Sequence, residues 1–190
     1  MRIIFYERKP PTPEPTDNIF YPASLADDGV RYGVSSFSNL YVQGGYSSQS
    51  LNGFVRFTNV IVPKDATITN AFVRFTAYQD CLGTTCNINI YFEDSSDAVA
   101  PISAATYDGL SLTTAIAWNS IPTWNIASQY DTPDLTSIVQ GLVEKISWSS
   151  GNAMMILLKN NGSSSQAFRT ANDFADFSGT RKAELHISWI

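Results

Sequence analysis

From residue 18 onward, apolar and polar residues alternate in short runs separated by turn residues, the period-two pattern of half-buried strands. Residues 53–63 set Val55 and Phe57 on one face and Phe54, Arg56 and Thr58 on the other. Residues 66–78 set Ala71, Val73, Phe75 and Ala77 against Phe72, Arg74, Thr76 and Tyr78. The pentamer Phe-Val-Arg-Phe-Thr occurs in both, at 54–58 and 72–76. The two strands are therefore expected to face similar environments, each with an arginine between aromatic rings. Residues 87–93 and 113–118 alternate as well, and 153–159 is an almost unbroken apolar run, expected to form a buried central strand. Residues 165–170 and 183–190 complete the set. In the first stretch, Asp27-Asp28-Gly29 and Gly44-Gly45 act as punctuation between runs.

One segment changes period. Thr132 offers an N-cap, Pro133 a first helical residue and Asp134 an acid in the first turn. Leu135, Ile138, Val139, Leu142, Val143 and Ile146 follow at spacings of three and four, which predicts a short amphipathic helix over about 133–146. Strands with one such helix predict an all-β fold, a jelly-roll β-sandwich. The sandwich is expected over 18–190. Ahead of it, residues 7–17 hold four prolines, which favour an extended chain, so 1–17 reads as an N-terminal arm. The apolar stub Ile3, Ile4, Phe5 and Tyr6 suits docking onto a neighbouring chain or strand addition at a sheet edge. A first strand of the same domain is the other reading.

Composition narrows the function. The 12 basic and 17 acidic residues leave a net charge of −5, the wrong sign for a protein that grips a nucleic-acid backbone. No apolar run approaches the roughly 18 residues needed to span a bilayer, so no membrane segment is expected. The start, Met1 to Tyr6, is too short for a signal core, and Met1 reads as a native start. The single histidine, His186, rules out a multi-histidine metal site within the chain and is a poor candidate base. No phosphate-cradling glycine loop and no nucleophile elbow is present. The chain reads as non-enzymatic. Cys81 and Cys86, with four residues between them across a turn, suit a small disulfide, with free thiols as the other reading.

Four tryptophans and a tyrosine-rich stretch are the candidate contact residues. Trp118, Trp148 and Trp189 sit in or beside strand patterns and are expected in the core. Trp124 lies in a loop with Tyr130 close by and is a candidate ligand platform. Tyr32, Tyr41 and Tyr46 fall in a Ser/Gly-rich stretch and are candidates for an adhesive or subunit face. No cofactor is expected. Asp27, Asp28, Glu93, Asp94, Asp97 and Asp108 leave a structural calcium open, although no EF-hand spacing is present.

Phe54-Val55-Arg56-Phe57, Val62-Pro63, Ala66-Thr67-Ile68 and Ala71 to Phe75 precede Glu93-Asp94. Tyr130 to Leu135, Ile138-Val139-Gln140 and Trp148 to Met154 follow. Together these motifs resemble the DNRLRE-domain and related carbohydrate-binding-module-like jelly rolls over about residues 20–190. Such modules occur in bacterial extracellular and phage virion proteins. The resemblance implies a non-catalytic sandwich that works by binding. The leading expectation is a virion structural protein, namely a phage capsid decoration, head-fibre or tail-associated subunit on the virion surface. Its partners would be other virion proteins or copies of itself, engaged through the arm. A carbohydrate-binding or adhesive module of a secreted protein, meeting cell-surface polysaccharide, and an extracellular filament subunit are the alternatives.

Overall fold

The computed structural model describes residues 14–81 and 85–190. The stub Ile3, Ile4, Phe5 and Tyr6 lies outside the described residues. In chain order the strands are β1 (Thr16–Phe20), β2 (Asp28–Tyr32), β3 (Ser36–Ser38), β4 (Val42–Tyr46), β5 (Ser50–Phe57) and β6 (Ile68–Thr76). They continue with β7 (Cys86–Phe92), β8 (Ile116–Ile121), β9 (Gln129–Asp131), β10 (Met154–Asn160), β11 (Ala167–Ala171) and β12 (Glu184–Trp189). Two helices accompany them, α1 (Ala104–Asp108) and α2 (Thr136–Val143). β1 begins inside the stretch read as arm, because Thr16 and Asp17 already pair with Trp189 and Ser188.

The strands form two antiparallel sheets. Sheet one runs β1-β12-β6-β9, and sheet two runs β11-β4-β5-β10-β7-β8, with β2 lying along β5 and β3 along β2. Take β1, β5, β6, β7, β8, β9, β10 and β12 as first to eighth. Sheet one is then 1-8-3-6 and sheet two contains 2-7-4-5, which is the jelly-roll order of two interlocked Greek keys. The expected all-β sandwich is present.

Alternation explains the layering. Val73 and Phe75 of β6 and Leu185, Ile187 and Trp189 of β12 point inward against Val55, Phe57, Ile88, Ile90, Met154, Ile156 and Leu158 of sheet two. β10 is apolar from Met154 to Leu158 because it is central and buried on both faces there. Its Met155 and Leu157 point outward into a second apolar cluster with Phe54, Ala98 and Tyr107. Phe37, Leu110 and Leu112 pack on that cluster from outside. The segment after β7, which carries α1, and strand β3 thus cover the outer face of sheet two. α1 itself was not predicted. Its start is fixed by a capping box in which Ser103 Oγ accepts from the Thr106 N–H.

α2 is shorter than the pattern suggested. It spans Thr136–Val143, with Leu135 as the N-cap residue. Thr132 does not cap it, because its hydroxyl accepts from the Val73 N–H in the buried sheet-one edge. Asp134 takes that role locally by accepting from the Thr136 N–H at 2.9 Å. Ile138, Val139, Leu142 and Val143 close one end of the core, whereas Ile146 lies beyond the helix and is 95% exposed.

Gly44-Gly45 is a strand feature rather than a turn. At Gly45, φ is +114° and a Cβ would sit 2.5 Å from the Ala167 carbonyl oxygen, so glycine lets β4 and β11 close on each other. On β11, Arg169 is fully buried. Its guanidinium donates to the Ile121 carbonyl at 2.6 Å, Pro122 at 2.7 Å and Phe168 at 2.8 Å. It thereby satisfies backbone acceptors where the chain leaves β8. Arg169→Ala is expected to cost about 3 kcal/mol of folding stability, since it leaves those carbonyls unpaired and opens a cavity. Urea denaturation at unchanged slope checks this.

Candidate functional site

Every strand committed to the core has an opposite set of side chains facing out. In sheet two the outward Phe54, Met155 and Leu157 are covered; in sheet one the outward set is open. Register places Asp17, Ser188 and Asn70 in one row across β1, β12 and β6. Ile19, His186 and Phe72 form the next row, and Glu184, Arg74 and Asp131 the third. The first two rows line a shallow groove of about 440 Å³.

The groups on this face are ordered by their neighbours. The His186 and Phe72 rings stack with centroids 4.5 Å apart and planes at 7°. His186 Nε2 meets Glu184 Oε2 at 2.9 Å. Arg74 lies 5.4 Å from the Phe72 centroid and clasps both oxygens of Asp131 at 2.7 and 2.8 Å. Those bonds to Asp131 push the guanidinium further up from its ordinary value. The Arg74 charge on this border is thus matched by Asp131. Ile19 is 43% exposed. Asp17, Asn70 and Ser188 carry no side-chain hydrogen bond among the described residues, so their donors and acceptors are free for a ligand. Glu184, His186 and Ser188 share this face at alternate positions, but among the described residues no hydrogen bond joins the Ser188 hydroxyl to the imidazole. A second groove adjoins the first at Ile19. There Lys182 Nζ sits 4.9 Å from the Tyr21 centroid and 5.3 Å from that of Phe174.

Among the aromatic residues singled out from sequence, Trp124 pairs with Tyr130, and Tyr41 pairs with Tyr78. Trp124 is a correction. It is buried, stacked on Tyr130 at 4.9 Å and 8°, and bridged to Cys81 through the backbone. Tyr130 is half-buried and its hydroxyl accepts from the Asn125 N–H. Tyr41 joins Tyr78 through their hydroxyls at 3.1 Å, and Tyr46 donates to the Ser48 carbonyl. Tyr32 and Tyr46 both lie where β5 begins, opposite Leu51 and Ser50. Phe72 and His186 were missed because a phenylalanine in an alternating strand reads as core. Their partner side of the strand, occupied by Val73 and Leu185, carried the only available signal.

The acids considered for calcium are dispersed. Asp27 pairs with Arg56 at 2.7 Å, Asp94 with Lys145 at 2.7 Å, and Asp108 with Arg31 at 2.6 Å, while Asp97 accepts from the Ala153 N–H. Burial pushes Glu93 up. Among the described residues, no three of His, Cys, Asp and Glu are placed to hold a metal ion.

Compared with known families and curated proteins, the chain matches no family model and no curated sequence.

Cys81 and Cys86 are free, buried thiols rather than the expected disulfide. Each is held in its own packing, Cys81 by two backbone bonds with Trp124 and Cys86 against β4, where its thiol faces the Gly44 carbonyl. Burial is the leading cause that pushes both thiols up, so both rest protonated and unreactive. A thiol reagent is expected to find neither in the native protein and both in denaturant; none in denaturant would mean that they are bonded.

Proposed function

We propose that the protein is a non-catalytic jelly-roll module that binds carbohydrate on the outer face of sheet one. The observation that carries this reading is the open groove in which Asp17, Asn70 and Ser188 lie beside the Phe72–His186 pair. A hydroxyl-rich ligand needs several donors and acceptors next to an apolar surface, and this groove supplies both. The Arg74–Asp131 ion pair at the border is already matched, and His186 and Glu184 are hydrogen-bonded to each other. Affinity electrophoresis against a panel of neutral and charged polysaccharides is the test. Retardation by at least one polymer is expected, weakened about tenfold or more in Phe72→Ala and Asn70→Ala and unchanged in Tyr46→Ala; tenfold corresponds to about 1.4 kcal/mol. No binding across the panel, or binding indifferent to Phe72 and Asn70, overturns the reading.

A second observation favours the reading as a virion subunit, whether capsid decoration, head fibre or tail-associated protein. β1, the strand that follows the arm, is at the end of sheet one and pairs with β12 alone among the described residues. Its outer edge offers unpaired backbone groups to a strand from another copy or another virion protein. The arm would then fasten the subunit while the open face remains exposed. Deletion of residues 1–13, which leaves β1 whole, is expected to keep the strand-rich circular dichroism spectrum and to abolish a discrete oligomer seen by sedimentation. A full-length monomer, or an oligomer that survives the deletion, removes this reading.

A further inference from the structure

Four carboxyl groups meet where the start of β2 touches the connection between β11 and β12. Asp28 is fully buried. Its Oδ2 accepts from the Phe174 N–H at 2.7 Å, a bond between residues 146 positions apart, and its Oδ1 has no partner. Asp173, also buried, accepts from the Tyr41 N–H through Oδ2 and from the Ala175 and Asp176 N–H groups through Oδ1. Asp176 accepts from the Asp173 N–H. Asp27 is occupied by Arg56 and by Ala23 and Ser24. Arg56, the partner of Asp27, also donates to the Ala98 carbonyl.

A second negative charge has no place in this arrangement. An ionised Asp28 would be a buried anion with one unpaired oxygen beside Asp173, Asp27 and Asp176. We propose that Asp28 is a proton-held latch: its neutral carboxyl fastens residues 173–179 to β2, and loss of its proton releases that segment. Burial foremost, then the Asp173 charge, push the Asp28 carboxyl up to about 8, and the Phe174 N–H only partly opposes them. Of the other groups facing the cluster, Asp176 is raised by its burial, and Tyr41 is pushed up to about 12, chiefly by its bond to Tyr78, and stays neutral through this window. Lys182 Nζ lies 5.3 Å from the Phe174 centroid, and Arg181 precedes it on the same connection. The folded chain holds the Asp28 proton more tightly than the unfolded chain does. The latch's contribution is therefore complete below the usual carboxylate range, declines as pH rises, and is gone above about 8. Release would carry away Phe174, a wall of the groove next to the sheet-one face. The latch itself stands without the carbohydrate reading, and its test uses no ligand.

The test follows the Asp28 carboxyl carbon and the amides of 173–179 by NMR from about pH 5 to about pH 10. Amide exchange is corrected for its intrinsic pH dependence. The wild-type chain is expected to show one transition near 8, shared by the Asp28 carboxyl and these amides, with loss of protection on the alkaline side. Asp28→Asn should abolish the transition. Asp176→Asn keeps an oxygen for the Asp173 N–H but removes one like charge, and should move the midpoint to lower pH. An Asp28 carboxyl that titrates in the usual carboxylate range overturns the proposal. So does a segment that stays protected to about pH 10, or an Asp176→Asn midpoint that does not fall. The last readout holds even if Asp28→Asn fails to fold.

Discussion

Side-chain alternation against one shared core is the constraint from which the rest of the molecule follows. Val73, Phe75, Leu185, Ile187 and Trp189 of sheet one and Val55, Phe57, Ile156 and Leu158 of sheet two must all reach the same interior. Once they do, period two fixes which residues of each strand face outward. On sheet two the outward set includes the apolar Phe54, Met155 and Leu157, and a buried side chain of that size contributes about 1.5–3 kcal/mol. That is enough to hold a covering segment, here the chain around α1. On sheet one the outward set is mixed, and nothing among the described residues covers it. The candidate site is the remainder of the packing problem.

Several buried polar side chains hold places where the chain changes direction. Arg169 binds carbonyls at the exit from β8, Thr132 closes the edge of β6, and Asp28 with Asp173 pins the connection into β12. Arg169 and Thr132 satisfy backbone groups. The Asp28 cluster concentrates like charge in a buried setting, so it is the joint whose strength changes with pH. The sheets that carry the open face rest on apolar packing, which is insensitive to pH.

Much of the strand pattern was legible because alternation is a local property. β6 and β12 fall within the runs read for them, β7 and β10 are each displaced by one residue, and the two faces of β5 and β6 match that reading. The helix was legible in its apolar stripe but not in its ends. Thr132 had a second suitor, the Val73 N–H, that only the folded chain brings near. Gly44-Gly45 looked like a turn because close approach of β11 is a long-range fact. Trp124 looked exposed because a loop residue with a backbone bridge to Cys81 cannot be told from a free one.

The repeated pentamer shows the division most directly. In both copies the sequence by itself determined the faces: Phe54 and Phe72 outward, Val55 and Val73 inward, Arg56 and Arg74 outward, Phe57 and Phe75 inward. What each outward phenylalanine meets is another matter. Phe54 is fully buried under Phe37 and Tyr107, while Phe72 stands half-open beside His186. Identical local sequence carries identical periodicity, because that depends only on backbone geometry. Cover depends on which distant segment the topology lays across the face, and that is decided only when the two sheets close.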